Sequence, residues 1–150
     1  MLKEIVHVGL TVSNIEKSIE FYRDILGLTY QGQMIMEGPE TDLLFARKNV
    51  KVKVAYLNGS DDIMAPPVEL IEFVSDEAEK TESDLHKTSI SEICFNVEDI
   101  DEVYSRFIEN GVECLSEPQY LDLRAYGYGE SKGLYFKDPD GIILELSQPL

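Results

Sequence analysis

Apolar residues at alternate positions predict a β-strand over residues 6–12, near the start of the chain. The segment Ser13-Asn14-Ile15-Glu16 follows and has the S-x-x-E form of a capping box, which predicts the start of a helix. Apolar residues then recur at helical spacing as far as Gly27, a residue type that commonly ends helices. The chain is therefore predicted to begin with a strand, a helix and a glycine stop.

Three more strands are predicted in the first half, over residues 28–36, 50–56 and 68–74. Gly38-Pro39-Glu40 ends the first of them, and alternation of valine with lysine predicts that the second is half-exposed. The stretch 75–84 is the most polar of the chain, and it predicts a surface linker.

The second half follows the same plan. A strand is predicted over residues 92–97, Asp99 is placed to cap the next helix, and Gly111 is placed to end it. The remaining predicted elements are a strand that starts at 112–115 and two strands, 134–137 and 142–147, around the turn Asp138-Pro139-Asp140-Gly141.

The two halves match residue by residue. The pattern of 7–12 returns 85 positions later at 92–97, and Val68-Glu69-Leu70 returns 76 positions later as Leu144-Glu145-Leu146. The alternative is that any two amphipathic strand–helix pairs look alike, but a repeat indicates a fold built from similar units. The predicted fold class is α+β, with two tandem βαβββ modules that form a curved mixed sheet around a cleft and carry helices on the outside. The predicted single domain consists of module 1 (about 1–75), a polar linker (about 75–88) and module 2 (about 89–150).

Four polar residues occupy equivalent positions of the repeat: His7 and Glu92 at the first strands, and Glu69 and Glu145 in the last strands. One imidazole and three carboxylates are a suitable ligand set for a divalent metal. Apolar residues surround both last-strand glutamates, and a buried carboxylate needs a cation, a hydrogen bond or a proton. The alternatives are that each glutamate lies on the outer edge of a half-exposed sheet, and that His86 replaces Glu92 as a ligand.

The charge balance narrows the choice of partners. The 13 basic and 29 acidic residues give a net charge of −16, which disfavours nucleic acids and anionic membranes as partners. No apolar run approaches the length of a membrane span, and the acidic start Met1-Leu2-Lys3-Glu4-Ile5 is not expected to be a signal peptide. Cys94 and Cys114 are interpreted as small core residues of a reduced, cytoplasmic protein.

Two segments carry a resemblance to a known family. The first runs from His7 through Phe21-Tyr22-Arg23-Asp24-Ile25-Leu26-Gly27-Leu28, and the second is the ending Tyr135-Phe136-Lys137-Asp138-Pro139-Asp140-Gly141-Ile142-Ile143-Leu144-Glu145-Leu146. Over nearly its whole length the chain resembles the vicinal oxygen chelate superfamily. This superfamily includes glyoxalase I, methylmalonyl-CoA epimerase, fosfomycin-resistance enzymes, extradiol dioxygenases and bleomycin-resistance proteins. The resemblance is strong evidence for a fold and weak evidence for a substrate, because one fold hosts several chemistries.

The resemblance implies a divalent metal (Ni, Co, Mn, Zn or Mg) held by one residue from each of four strands. Carried over by position, the metal ligands are His7, Glu69, Glu92 and Glu145. The second module of the family usually begins with a histidine where this chain has Glu92, which makes the site harder and more anionic. This difference removes the two-histidine, one-carboxylate triad that an extradiol dioxygenase needs.

The implied activity is that of a metal-dependent lyase or isomerase of the glyoxalase or epimerase type. It abstracts a proton next to a carbonyl, with Glu145 and Glu69 as the candidate bases and a small molecule as substrate. Arg124, Tyr126 and Lys132 are candidate contacts for an anionic substrate tail, or else ordinary surface residues. The alternative function is a metal-free module that sequesters a cationic ligand, as bleomycin-resistance proteins do. Family members commonly dimerise, which implies a homodimer here.

Overall fold

The computed structural model describes residues 5–60 and 67–150, and it divides into two compact units. Unit 1 is Met1–Lys80 and unit 2 is Thr81–Leu150. The boundary lies inside the stretch 74–92, which contains no helix or strand and includes the segment predicted as a polar linker. The expectation that no signal peptide is present rests mainly on residues 1–4, which lie outside the described residues.

Unit 1 contains a mixed four-stranded sheet with the strand order β1-β4-β3-β2. Strands β1 and β4 are parallel, and the other two neighbouring pairs are antiparallel. Its elements are β1 (Val8–Thr11), α1 (Ile15–Glu20), a π-helical turn (Phe21–Ile25), β2 (Thr29–Glu37), α2 (Pro39–Leu44), β3 (Lys51–Asn58) and β4 (Val68–Phe73).

Unit 2 repeats this topology with the strand order β5-β8-β7-β6. Its elements are β5 (Ile93–Asn96), α3 (Ile100–Glu109), β6 (Gln119–Asp122), a 3-10 turn (Arg124–Tyr126), β7 (Glu130–Lys137) and β8 (Ile143–Pro149). Strands β5 and β8 are parallel, as β1 and β4 are in unit 1. The predicted α+β fold with two repeated βαβββ modules is therefore confirmed. The arrangement of the two sheets around a cleft stays a prediction.

Helix α1 packs against β3 and β4 of its own sheet, and α3 packs against β8 of its own sheet. In unit 1 the side chains of Ile15, Tyr22 and Leu70 are fully buried, and in unit 2 those of Ile100 and Phe107 are. These apolar faces hold helix and sheet together because burial removes their surface from water. The opposite face of each sheet carries the last-strand glutamate.

Side chains at matching positions cap the N-termini of α1 and α3. The carboxamide oxygen of Asn14 accepts a hydrogen bond from the N–H of Lys17 at 3.0 Å, and the Asp99 carboxylate accepts one from the N–H of Glu102 at 3.0 Å. The last strand of each unit adds a second acceptor for the first N–H of the helix. Glu72 Oε2 accepts from the Ile15 N–H at 2.9 Å, and Gln148 Oε1 accepts from the Ile100 N–H at 3.0 Å. These contacts satisfy N–H groups that a helix start leaves unpaired.

Several predicted details need correction. The N-cap of α1 is Asn14, whereas the capping-box pattern placed the cap at Ser13. The break at Gly38 is followed by a helix, α2, which the sequence analysis did not predict. Strand β3 is more deeply buried than a half-exposed strand, because β2 and β4 flank it and side chains on both of its faces are covered.

The expected strand at 112–115 is also wrong. Only Cys114 forms an isolated bridge there, to Phe136, and the edge strand β6 begins at Gln119. None of the helices in the described ranges combines the length and the apolar character needed to cross a bilayer.

Candidate functional site

The clearest polar contact on the sheet of unit 1 joins His7 and Glu69. His7 immediately precedes β1, and Gly9 in β1 is the register partner of Glu69 in β4. His7 Nε2 lies 3.2 Å from Glu69 Oε2, and the Glu69 side chain is 12% exposed while that of His7 is 43% exposed. Two predicted site residues are therefore brought together by the parallel pairing of β1 and β4.

Tyr56 holds the other oxygen of the same carboxylate. Tyr56 is the register partner of Glu69 in β3, and its hydroxyl donates a hydrogen bond of 2.5 Å to Glu69 Oε1. Partial burial, followed by the hydrogen bond to Glu69, raises the pKa of Tyr56 to about 12. The hydroxyl consequently stays protonated near neutral pH and remains a donor.

The sheet of unit 2 presents a second acidic group at the matching place. Glu145 in β8 has two register partners, Cys94 in β5 and Tyr135 in β7. Burial, then the negative charge of Glu145 and a hydrogen bond to it, and lastly the charge of Glu92 raise the pKa of Cys94 to about 12. Burial and the charges of Glu145 and Glu92 raise the pKa of Tyr135 as well. These effects place Glu92 and Glu145 in one electrostatic neighbourhood.

Small residues leave room beside both last-strand glutamates. A Cβ added at Gly9 would lie 3.4 Å from Glu69 Oε2, and one added at Gly133 would lie 3.5 Å from Glu145 Oε1. Neither glycine has a positive φ, so backbone conformation does not require a glycine at these positions. The open space next to each carboxylate is therefore a local feature of both sheets.

The pair His7 and Glu69 fits the donor set of a divalent cation. Ligand nitrogen and oxygen atoms lie about 2.0–2.2 Å from a zinc-sized ion, so two donors 3.2 Å apart subtend roughly 100° at it. That angle suits two adjacent ligands in tetrahedral or octahedral coordination. Without a cation, the same contact is a hydrogen bond or an ion pair, depending on the imidazole proton.

Neither unit completes a metal centre by itself. Among residues 5–60 and 67–150, no group of three or more His, Cys, Asp or Glu side chains is arranged to hold a metal ion. The joint ligand set His7, Glu69, Glu92 and Glu145 stays a prediction.

The predicted substrate contacts lie on or beside β6 and β7, and the two charged residues among them already form ion pairs. The Arg124 guanidinium binds the Asp122 carboxylate at 2.9 and 2.7 Å and lies 3.2 Å from Glu130. Tyr126 is 76% exposed. An anionic substrate at Arg124 would therefore have to compete with two carboxylates.

Lys132 lies on the face opposite to Glu145. Its neighbour Gly133 faces Glu145, successive side chains alternate between the faces of a strand, and the Lys132 ammonium pairs with Asp101 on α3. Lys132 therefore points away from Glu145, and its predicted contact with an anionic substrate tail stays a prediction. His86, the alternative metal ligand, is exposed in a turn, where its backbone N–H donates a hydrogen bond to the Asp84 carboxylate.

The cysteines are not core residues, contrary to the sequence interpretation. Cys94 is exposed and Cys114 is partly exposed as residues. Neighbouring atoms still cover enough of each sulfur for desolvation to raise the pKa of both thiols, so neither is activated toward the thiolate that a nucleophilic cysteine needs.

The sequence analysis missed Tyr56 and Tyr135 as partners of the glutamates. A signal was present, because each half has one tyrosine in the strand before its last-strand glutamate. The spacing differs, with Tyr56 and Glu69 13 residues apart and Tyr135 and Glu145 closer together in the chain, so a fixed repeat offset does not align them.

Comparison with known proteins identifies the family. The family model of the Glyoxalase/Bleomycin resistance protein/Dioxygenase superfamily matches residues 4–146. The chain belongs to this superfamily. One relative is the metallothiol transferase FosB of Staphylococcus epidermidis. It is 35% identical over 148 residues, which cover 97% of this chain and 84% of FosB.

Solved structures of the superfamily share the fold. A glyoxalase family protein from Bacillus cereus matches with a TM-score of 0.83 and 24% identity, over 100% of this chain and 95% of that one. The glyoxalase I of Leishmania major, described as trypanothione-dependent, matches with a TM-score of 0.68 and 20% identity, over 98% of this chain and 87% of that one. At these identities the likeness is one of fold, and function has to be argued from the site.

Proposed function

We propose that this protein is a metal-dependent lyase or isomerase that removes a proton next to a carbonyl group of a small-molecule substrate. The observation that carries this proposal is the donor pair of His7 Nε2 and Glu69 Oε2, 3.2 Å apart, with the second carboxylate oxygen held by Tyr56. Membership of the superfamily supports it, because that superfamily includes glyoxalases.

The proposed ligands are His7 and Glu69 from unit 1 with Glu92 and Glu145 from unit 2. Three carboxylates and one imidazole favour Mn, Ni, Co or Mg over a sulfur-rich zinc site. A divalent cation bound there supplies Lewis-acid stabilisation for negative charge that develops on the substrate's carbonyl oxygen. The acidic environment also helps to attract the cation.

Glu145 is the better candidate for the base. Both oxygens of Glu69 are engaged, one by the Tyr56 hydroxyl and the other by the His7 imidazole, so neither is open to a substrate proton. Glu145 has the thiol of Cys94, a weaker hydrogen-bond donor, as its partner, so its oxygens are more readily available to a substrate. In the proposed reaction Glu145 accepts the proton from the carbon next to the carbonyl and returns it to the neighbouring carbon on the same face.

Calorimetric titration of the chelator-treated protein with Mn(II), Ni(II), Co(II) and Zn(II) tests the metal site. We expect one cation to bind per chain, and we expect Glu69→Gln and Glu145→Gln to weaken its binding. Glu109→Gln, at an exposed position on α3, is the matched control. If none of the four cations binds stoichiometrically, the proposal is wrong and the metal-free, ligand-sequestering module takes its place.

Deuterium exchange tests the reaction itself. The loaded protein is incubated in D2O with hemithioacetals formed from methylglyoxal and low-molecular-weight thiols, and with 2-substituted acyl thioesters. Deuterium at the carbon next to the carbonyl is the expected result, and its absence for both substrate types would contradict proton abstraction.

A second candidate function is thiol transfer, which the 35% identity to the metallothiol transferase FosB favours. The two functions differ in what is consumed. Thiol transfer joins a low-molecular-weight thiol to an electrophile and leaves no deuterium next to a carbonyl, whereas the proposed isomerisation places deuterium there. Parallel assays of adduct formation between the thiol and the electrophile and of deuterium uptake therefore decide between them.

A further inference from the structure

We infer that Tyr56 is a positioning residue that presents a single oxygen of Glu69, Oε2, to the cation beside His7. This inference rests on the proposed function and adds a residue that neither the family resemblance nor the repeat identified. It makes a specific claim: Glu69 binds a divalent cation through Oε2 alone, because Oε1 is held by the Tyr56 hydroxyl.

The first support is the hydrogen-bond geometry. The Tyr56 hydroxyl donates to Glu69 Oε1 at 2.5 Å, while Oε2 lies 3.2 Å from His7 Nε2. The two oxygens of one carboxylate are therefore committed in different directions. A carboxylate fixed in this way loses less rotamer entropy when it binds an ion.

The second support is the position of Tyr56 on a rigid element. Tyr56 lies in β3, which is hydrogen-bonded to β2 on one side and to β4 on the other. Its chain neighbours Ala55 and Leu57 are fully buried, and they anchor this part of the strand in the core. Side chains held by packed strands position a site more accurately than side chains on loops.

The third support is that Tyr56 also contacts the other donor. The Tyr56 ring meets the His7 imidazole edge-on, with ring centroids 6.2 Å apart and an interplanar angle of 60°. His7 is the more exposed of the two donors and lies outside the strand, and both this ring and Glu69 contact it. Tyr56 therefore touches both members of the donor pair.

Tyr56→Phe is the decisive variant because it removes one oxygen and keeps the ring. Residues that orient metal ligands typically contribute about 10- to 100-fold to metal affinity. We expect Tyr56→Phe to raise the Kd for Mn(II), measured by calorimetry, by about that factor, and to change the visible spectrum of the Co(II) protein as the carboxylate changes its mode of binding. Tyr104→Phe, on α3 and distant in sequence from these residues, should leave both unchanged, and thermal melts of both variants check folding.

A measurement on the metal-free protein tests the role of Tyr56 without depending on how much metal the protein binds. The chain has two histidines, His7 and His86, and the exposed His86 is an internal reference. In the metal-free protein, Tyr56→Phe should shift the imidazole nitrogen resonances of His7 and leave those of His86 in place. Unchanged His7 resonances in a folded variant would contradict the positioning role.

The outcomes separate this inference from the proposed function. If the wild-type protein binds none of the cations, the proposed function fails. If the wild type binds Mn(II) and Tyr56→Phe binds it with the same affinity and the same Co(II) spectrum, only the role of Tyr56 fails. A raised Kd for Mn(II) in Tyr56→Phe, together with shifted His7 resonances, supports both the proposed function and the role of Tyr56.

Discussion

The two units place a glutamate at the same point of the same topology but surround it differently. Glu69 is held by a tyrosine hydroxyl and a histidine, whereas Glu145 lies beside a thiol and near a second carboxylate. The strand pairing is equivalent, because each glutamate has one register partner in a parallel strand and one in an antiparallel strand.

The comparison separates what the scaffold does from what the side chains do. The repeated backbone fixes where each carboxylate lies, and the neighbouring side chains decide how firmly its two oxygens are held. Two hydrogen-bonding partners restrict the rotamer of a carboxylate more than one weak donor does. In the proposed function, the firmly held carboxylate of unit 1 is the metal ligand and the less constrained carboxylate of unit 2 is the base.

The largest expected effect comes from comparing Glu145→Gln with Glu69→Gln at saturating metal. Glu145→Gln should lower kcat by roughly 10²- to 10⁴-fold, the usual contribution of a general base, whereas Glu69→Gln should recover most of kcat once metal is in excess. Steady-state kinetics over a range of metal concentrations measure both. If Glu69→Gln lowered kcat as much as Glu145→Gln does, and excess metal did not restore it, the base would be Glu69 in unit 1.

The next effect tests whether the two cores are equivalent. Leu70 and Leu146 follow the two glutamates by one residue and are both buried. Replacement of either by alanine should lower the free energy of unfolding by roughly 2–5 kcal/mol, because a cavity is added to the lost burial. Denaturant titration measures this, with the exposed Leu43→Ala as the control. If only one of the two variants is destabilised, the equivalence of the cores is wrong.

The thiol of Cys94 tests the acidic character of unit 2. Its pKa of about 12 means that the thiolate is scarce at neutral pH, and its reactivity should keep rising with pH up to about that value. In a Cys114→Ala background, iodoacetamide should alkylate Cys94 roughly 100- to 1,000-fold more slowly at pH 8 than a free cysteine. Glu145→Gln removes a negative neighbour and should speed the reaction. Alkylation at the rate of a free cysteine would show that the thiol is not perturbed.

The smallest expected effect concerns the two helix caps supplied by the last strands. Glu72 and Gln148 accept from the first N–H groups of α1 and α3, but only Glu72 is charged. Gln148→Ala should cost about 1 kcal/mol of stability, and Glu72→Ala somewhat more, because a carboxylate also interacts favourably with the helix dipole. Thermal or denaturant unfolding measures both, and the exposed Glu77→Ala is the reference. If Gln148→Ala lost more stability than Glu72→Ala, charge would not be what distinguishes the two caps.

Much of the fold could be predicted because local patterns and the fold agree. Asp99 caps its helix as predicted, and Gly27 and Gly111, both with positive φ, follow the helical segments that they were predicted to end. The short helix α2 was missed because the six residues Pro39–Leu44 give too few turns for a periodic pattern. Strand β6 was misplaced because the segment between Gly111 and β7 pairs only at the edge of the sheet, where apolar alternation is weak.

The sequence by itself determined the repeat, the fold class and the positions of the two last-strand glutamates, because apolar periodicity is written along the chain. Only the tertiary structure decided that Tyr56 donates to Glu69 and that Lys132 lies on the opposite face from Glu145. The physical reason is that these facts depend on strand register. A shift of one residue in register turns every side chain to the other face, and register is set by pairing between segments that are distant in the chain.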